Sequence, residues 1–184
     1  MTTLALPTEL TAGTWAADPS HTEAGFTVRH AGISKVRGTV AVTSATVTIG
    51  ADLSASAVTA TLDAASVDTR DAKRDGHLKS ADFFDVENFP AWTFVSTSVA
   101  GAGAEGVVTG DLTIHGVTRQ VALATEFNGT ATDPYGNLRA GFSASTEISR
   151  KDFGLTWNAA LEAGGVLVGD KVTINLELSA IKSA

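Results

Sequence analysis

Cysteine is missing from the whole 184-residue chain. Without a thiol there is no disulfide framework, thiolate metal site, cysteine nucleophile or lipid-modified cysteine anchor. Basic residues are scarce too: 13 Lys and Arg stand against 20 Asp and Glu, a formal net charge of −7. That balance argues against a partner such as nucleic acid or an anionic membrane, which calls for a basic face. Long apolar runs are also lacking, and none approaches the roughly 20 residues of a membrane span. The opening stretch MTTLALPTELTAG has neither a basic segment nor an apolar one of signal-peptide type, so a cytoplasmic location is the expectation. At this length one domain is expected, a barrel over residues 14–184 behind an N-terminal extension of residues 1–13.

What the chain does have is Ala, Val, Thr and Gly in a period of two. In AGFTVRH, Ala24, Phe26, Val28 and His30 share one face. Val108, Gly110, Leu112 and Ile114 alternate, then Val117, Val121, Leu123 and Phe127 follow, with His115-Gly116 between them as a tight hairpin turn. Ala140, Phe142, Ala144 and Ile148 fall together, and Val166, Val168, Val172, Ile174, Leu176 and Leu178 mark a last strand. Val36, Val40 and Val42 run on one parity and Val47 and Ile49 on the other, so a bulge or bend near Ser44–Thr46 is expected. With SAVTATLDAAS and AWTFVSTSV the count reaches about eight strands. Each has one apolar face, which predicts an all-β antiparallel fold, either two packed sheets or one closed barrel, strand length favouring the barrel.

The inward face is rich in small residues: Ala24, Ala60, Ala64, Ser96, Gly110, Ala140 and Ala144. An eight-stranded barrel is just wide enough to be filled or to hold one small ligand. A hollow of ~300 Å³ left void would cost roughly 7 kcal/mol at about 24 cal/mol/Å³, comparable with the whole stability of a domain. An apolar ligand inside is the expectation, with Phe26, Val28, Trp92, Phe94, Leu112, Ile114, Phe142, Ala144, Ile174 and Leu176 on the wall and His30 beside them.

Several short motifs carry no function. Gly101–Gly106 spells GAGAEG, the dinucleotide-binding pattern, but a strand rather than a helix follows, so it reads as a hairpin loop. Asp152-Phe153-Gly154 stands without the rest of the kinase signature. Asn128-Gly129-Thr130 reads as turn chemistry. The histidines at 21, 30, 77 and 115 show no metal-ligand spacing, and Asp71 with Asp75 gives too few ligands for calcium, so neither a metal nor another cofactor is expected. No serine sits on a nucleophile elbow.

Residues 66–90, SVDTRDAKRDGHLKSADFFDVENFP, depart from the strand pattern. Asp68 is the expected N-cap of a short helix with Asp71 in its first turn, and Asp75–Lys79 and Asp71–Arg74 are spaced as ion pairs. Phe83, Phe84, Val86 and Phe89 then precede Pro90. A connection this long between strands is not expected to be plain loop, and its aromatics suit a lid over the barrel mouth, built from His77, Leu78, Phe83, Phe84 and Phe89.

The stretches DPSHTEAGFTVRH, DTRDAKRDGHLKSADFFDVENFP, GDLTIHGVTRQVAL, RAGFSASTEISRKDFGLTWN and GGVLVGDKVTINLEL occur in this order. With them the chain resembles the YceI-like, polyisoprenoid-binding family, with Thr22 where the family usually has Ser. The resemblance implies a lipocalin-like barrel around a long apolar ligand: a polyisoprenoid, an isoprenoid quinone or a fatty-acid-like amphiphile. A non-catalytic lipid carrier is therefore the leading expectation. The alternatives are an enzyme acting on a lipid or quinone in the same cavity, with His30 or His77 as acid or base, and a lipid-sensing stress-response module. The oligomeric state, homodimer included, stays open.

Overall fold

The computed structural model describes residues 6–184. The first five residues of the expected N-terminal extension lie outside the described residues. Nine strands form among the described residues: β1 (Gly13–Ala17), β2 (Glu23–His30), β3 (Ser34–Ile49), β4 (Ala57–Asp68), β5 (Ala91–Ala102), β6 (Glu105–Ile114), β7 (Val117–Thr132), β8 (Leu138–Ser149) and β9 (Val168–Lys182). One α-helix, α1 (Ala72–Lys79), joins β4 to β5.

All pairings in the sheet are antiparallel, in the order β3-β2-β9-β8-β7-β6-β5-β4, and β4 returns to β3. The sheet is thus one closed barrel rather than two packed layers. It has eight strand positions but nine strands, because β1 and β2 are two halves of one wall. β1 fills the gap between the ends of β3 and β9, and β2 fills the remainder of the same gap. The break between the halves is a short 3-10 turn capped by Asp18, whose carboxylate accepts from the Ser20 amide.

The parity break in β3 is a bulge. Val42 pairs with Leu62 and Ser44 with Thr61, leaving Thr43 as the extra residue, just before the expected site. The bulge turns Val47 and Ile49 to the same interior as Val40 and Val42. His115 and Gly116 have φ of 54° and 70°, both left-handed, as a two-residue hairpin requires. The GAGAEG segment is more regular than a loop: Gly101 pairs with Gly106, and only Gly103-Ala104 turn. Asn128 lies within β7 at a register shift, not in a turn, and its side-chain amide donates to Ser143. Val166 is solvent-exposed and precedes β9 instead of belonging to it.

Two buried clusters close the barrel ends. Trp15, Leu10, Val47, Ile49, Ala140 and Ala180 form one, with Trp15 fully buried and its Nε1 donating to the Thr11 carbonyl. Phe153, Leu155, Trp92, Ala64 and Val67 form the other, at the α1 end.

Candidate functional site

Between these clusters the barrel is hollow, in two chambers that share Val58, Leu123, Leu176 and Leu178. The larger, about 240 Å³, lies toward α1 and the smaller, about 150 Å³, toward the β5–β6 turn and Leu10. Phe26, Val28, Trp92, Phe94, Leu112, Ile114, Ile174 and Leu176 all line the larger chamber. Phe142 and Ala144 line the smaller one instead, together with Leu176. His30 lines neither chamber. His30 is the last residue of β2 and keeps the register with β3 that Val28 has, so it falls beyond the rim of the chamber at the hairpin end.

Of the small residues on the inward face, Ala24, Ala60 and Ala144 border open space. The others do not. A Cβ at Gly110 would lie 2.5 Å from Cζ of Phe94, and one at Gly38 would lie 2.4 Å from Cζ of Phe26. These glycines seat the rings of two wall aromatics on neighbouring strands, so the space they vacate is filled by a ring. Ser96 accepts a hydrogen bond from the Val58 amide, Ala64 is buried beneath the lid and Ala140 packs in the Trp15 cluster.

The lid is built by a polar frame. Asp71, not Asp68, is the N-cap of α1, and its carboxylate accepts from the amides of Lys73 and Arg74. Those bonds, the Arg74 amide first, hold the Asp71 carboxyl below its usual range, with the charges of Arg74 and Lys73 adding to them. Asp75 forms no ion pair with Lys79: it is buried, and its Oδ1 accepts from the amide and hydroxyl of Thr69. Arg74 completes the frame by donating to the hydroxyl and carbonyl oxygens of Thr69. Leu78, Phe83 and Phe84 then reach the larger chamber, Phe84 edge-on to Trp92 with ring centroids 4.7 Å apart.

Two expected lid residues serve elsewhere. Phe89 packs against His115, centroids 5.0 Å apart, and over Gly116 on the β6–β7 turn. His77 lies outside the chamber, its ring edge-on to Phe83 and Trp157 and its Nε2 2.8 Å from Asp82 Oδ2. It clamps the lid to the segment after β8.

That segment was missed as part of the site. Arg150 is buried at the chamber edge and donates to the carbonyls of Gly169, Leu155, Trp157 and Val168. Burial pushes its pKa down, and the Asp170 carboxylate opposes that shift. The bonds fix Leu155 in the chamber wall and Trp157 against the lid, completing the mouth. A basic residue beside DFGLTW is the signal that could have marked it. One wall donor has no protein partner among the described residues: Nε1 of Trp92, sealed behind the chamber surface.

An antiparallel barrel closed on itself, apolar inside and covered by one short helix, is a lipocalin-like barrel. The chain belongs to the YceI-like family: the YceI-like domain matches residues 15–180. Protein YceI of Salmonella arizonae is 43% identical over 137 residues, 74% of this chain and 72% of that protein. The Campylobacter jejuni YCEI crystal structure is 31% identical, with a TM-score of 0.68 over 85% of this chain and 90% of that one. BcnA of Burkholderia cenocepacia shares the fold at 22% identity, with a TM-score of 0.75 over 89% and 98% of the two chains. A polyisoprenoid binding domain from Saccharophagus degradans, implicated in plant cell wall breakdown, does so at 13% identity, with a TM-score of 0.66 over 94% and 100%.

Proposed function

We propose that this protein binds and carries a long apolar amphiphile, a polyisoprenoid, isoprenoid quinone or fatty-acid-like lipid, along the axis of its barrel. The observation that carries this reading is the pair of in-line apolar chambers under the Leu78–Phe83–Phe84 cover. An elongated chain fits that arrangement better than a compact solute does. Leaving the larger chamber void would cost about 6 kcal/mol at about 24 cal/mol/Å³. Burying about 15 chain carbons at ~0.8 kcal/mol each returns roughly 12 kcal/mol before the ~4–15 kcal/mol cost of association. The family and the likeness to the Saccharophagus domain, named for polyisoprenoid binding, support the ligand class.

The role is carriage rather than catalysis. Neither His30 nor His77 lines a chamber, so neither reaches a chain held there to move a proton. Organic extraction of the purified protein followed by mass spectrometry tests the proposal, with one prenyl or acyl lipid per chain expected. Recovery of a chemically altered lipid after incubation would overturn the carrier role, and failure to take up any such lipid would overturn the ligand class.

A further inference from the structure

The net charge of −7 leaves room for a local cationic patch. The β2–β3 hairpin, residues 29–37, carries Arg29, Lys35 and Arg37 and no acidic residue. All three are exposed, and among the described residues none of them is in an ion pair. Arg29 pairs across the hairpin with Lys35, and Thr27 with Arg37, so the three cations share the outer face that alternates with inward Phe26 and Val28. Acidic Glu9, Asp52 and Glu105 belong to the segments around the far chamber, where Pro7, Leu10, Leu53 and Glu105 itself form the wall.

The tip of this hairpin is apolar. Ala31 and Gly32 turn with φ of 51° and 72°, and Ile33 projects beyond them, 86% exposed. Beside it runs the loop before β9, tied by the bond from the Ala31 amide to the Leu167 carbonyl, and that loop holds out Val166, 51% exposed. The same loop begins next to Trp157, the residue against which His77 and Phe83 of the lid pack. Two bare aliphatic tips and an unpaired cationic face therefore flank the lid end of the larger chamber.

We infer that this end of the barrel docks on an anionic lipid surface, with Ile33 and Val166 inserted at the headgroup boundary and Arg29, Lys35 and Arg37 against the lipid phosphates. Local charge governs such contact, because screening confines the field to about 8 Å at physiological salt. Exposed Asp71, Asp82 and Glu87 on the lid segment and Glu162 on the Val166 loop stand at this end too, so the contact rests on the hairpin face itself. A protein partner is the weaker reading: two separate tips fall far short of the ~800 Å² per partner of a standard interface. The surface is independent of the cargo proposal, since docking is read with the cavity in any state.

Co-sedimentation with vesicles tests it. The protein should pellet with phosphatidylcholine–phosphatidylglycerol vesicles, much less with pure phosphatidylcholine, and salt should release it. Ile33→Asp should lower partitioning about tenfold. The double variant Arg29→Glu, Lys35→Glu should lower it at least as much. Tyr135→Asp, at an equally exposed tip on the β7–β8 turn, should leave it unchanged. Binding to neither vesicle, equal binding to both, or equal loss in Ile33→Asp and Tyr135→Asp would overturn the inference. So would concentration-dependent self-association of the protein that Ile33→Asp abolishes. Lipid retained by Ile33→Asp after purification separates failure here from failure of the cargo reading.

Discussion

Asp75 holds Thr69 with a single oxygen: its Oδ1 accepts from the Thr69 amide at 2.9 Å and from the hydroxyl at 2.6 Å. Both residues are buried, so the pair fixes α1 to the end of β4 in surroundings where water cannot substitute. Asp75→Ala leaves two donors unsatisfied there. It should cost the lid about 2–3 kcal/mol of local stability, read as faster amide exchange across residues 72–79 with the barrel strands still protected. Uniform loss of protection would assign Asp75 to the barrel as a whole instead.

Phe84 covers the chamber by lying edge-on to Trp92. Phe84→Asp places a charge against an apolar mouth, and the off-rate of a fluorescent prenyl lipid should rise at least tenfold, on the order of 1.4 kcal/mol or more. Asp71→Ala removes the helix cap and should quicken exchange of the first-turn amides. Its effect on lipid release should be the smaller one. A faster release from Asp71→Ala than from Phe84→Asp would remove Phe84 as the seal.

Ala144 lines the inner chamber, not the one under the lid. Ala144→Trp should therefore shorten the usable cavity rather than close it. A chain of about 10 carbons should still bind, while one of about 20 should lose at least tenfold in affinity. The overpacking cost of about 1–3 kcal/mol leaves a folded barrel to measure. Equal loss for both chain lengths would mean that the two chambers are not filled in sequence.

Alternation of apolar residues made the wall legible, because a strand with one buried face repeats every two residues. Phe26, Phe94, Leu112 and Ile174 followed from that alone, and His115-Gly116 from turn chemistry. What alternation does not carry is register. Only the pairing of β5 with β6 brings the Phe94 ring over Gly110, so a glycine that reads as open space is a seat for a ring. Nor does alternation carry how far the chamber extends: His30 keeps it to the last residue of β2, yet the lining on that strand stops at Val28. Five-residue β1 is too short for a period to emerge, and its place depends on where β2 stops pairing with β3 and β9. Asp75 and Arg150 are charged residues that chain pattern assigns to water, and only tertiary hydrogen bonds turn them inward.

At the opposite end Arg139 donates to Asp18 through Nη1 and to Asp133 through Nε, at 2.8 and 2.7 Å, and so ties the β1–β2 break to the β7–β8 turn. Hydrogen bonds from Ser20, Arg139 and His21 hold the Asp18 carboxyl well below the usual carboxylate range. Those from Arg139 and Asn137 do the same for Asp133. Both native pKa values are depressed, so the unfolded chain binds these protons first as pH falls. The stabilisation is complete above pH about 4 and is lost as pH drops from there toward the native values. Arg139→Ala removes a shared cause of both shifts. Its unfolding midpoint should fall at neutral pH and then converge on that of the parent in acid. A gap that stays constant from pH 7 down to pH 2 would mean that Arg139 acts by packing alone, with the carboxylates contributing nothing to the difference.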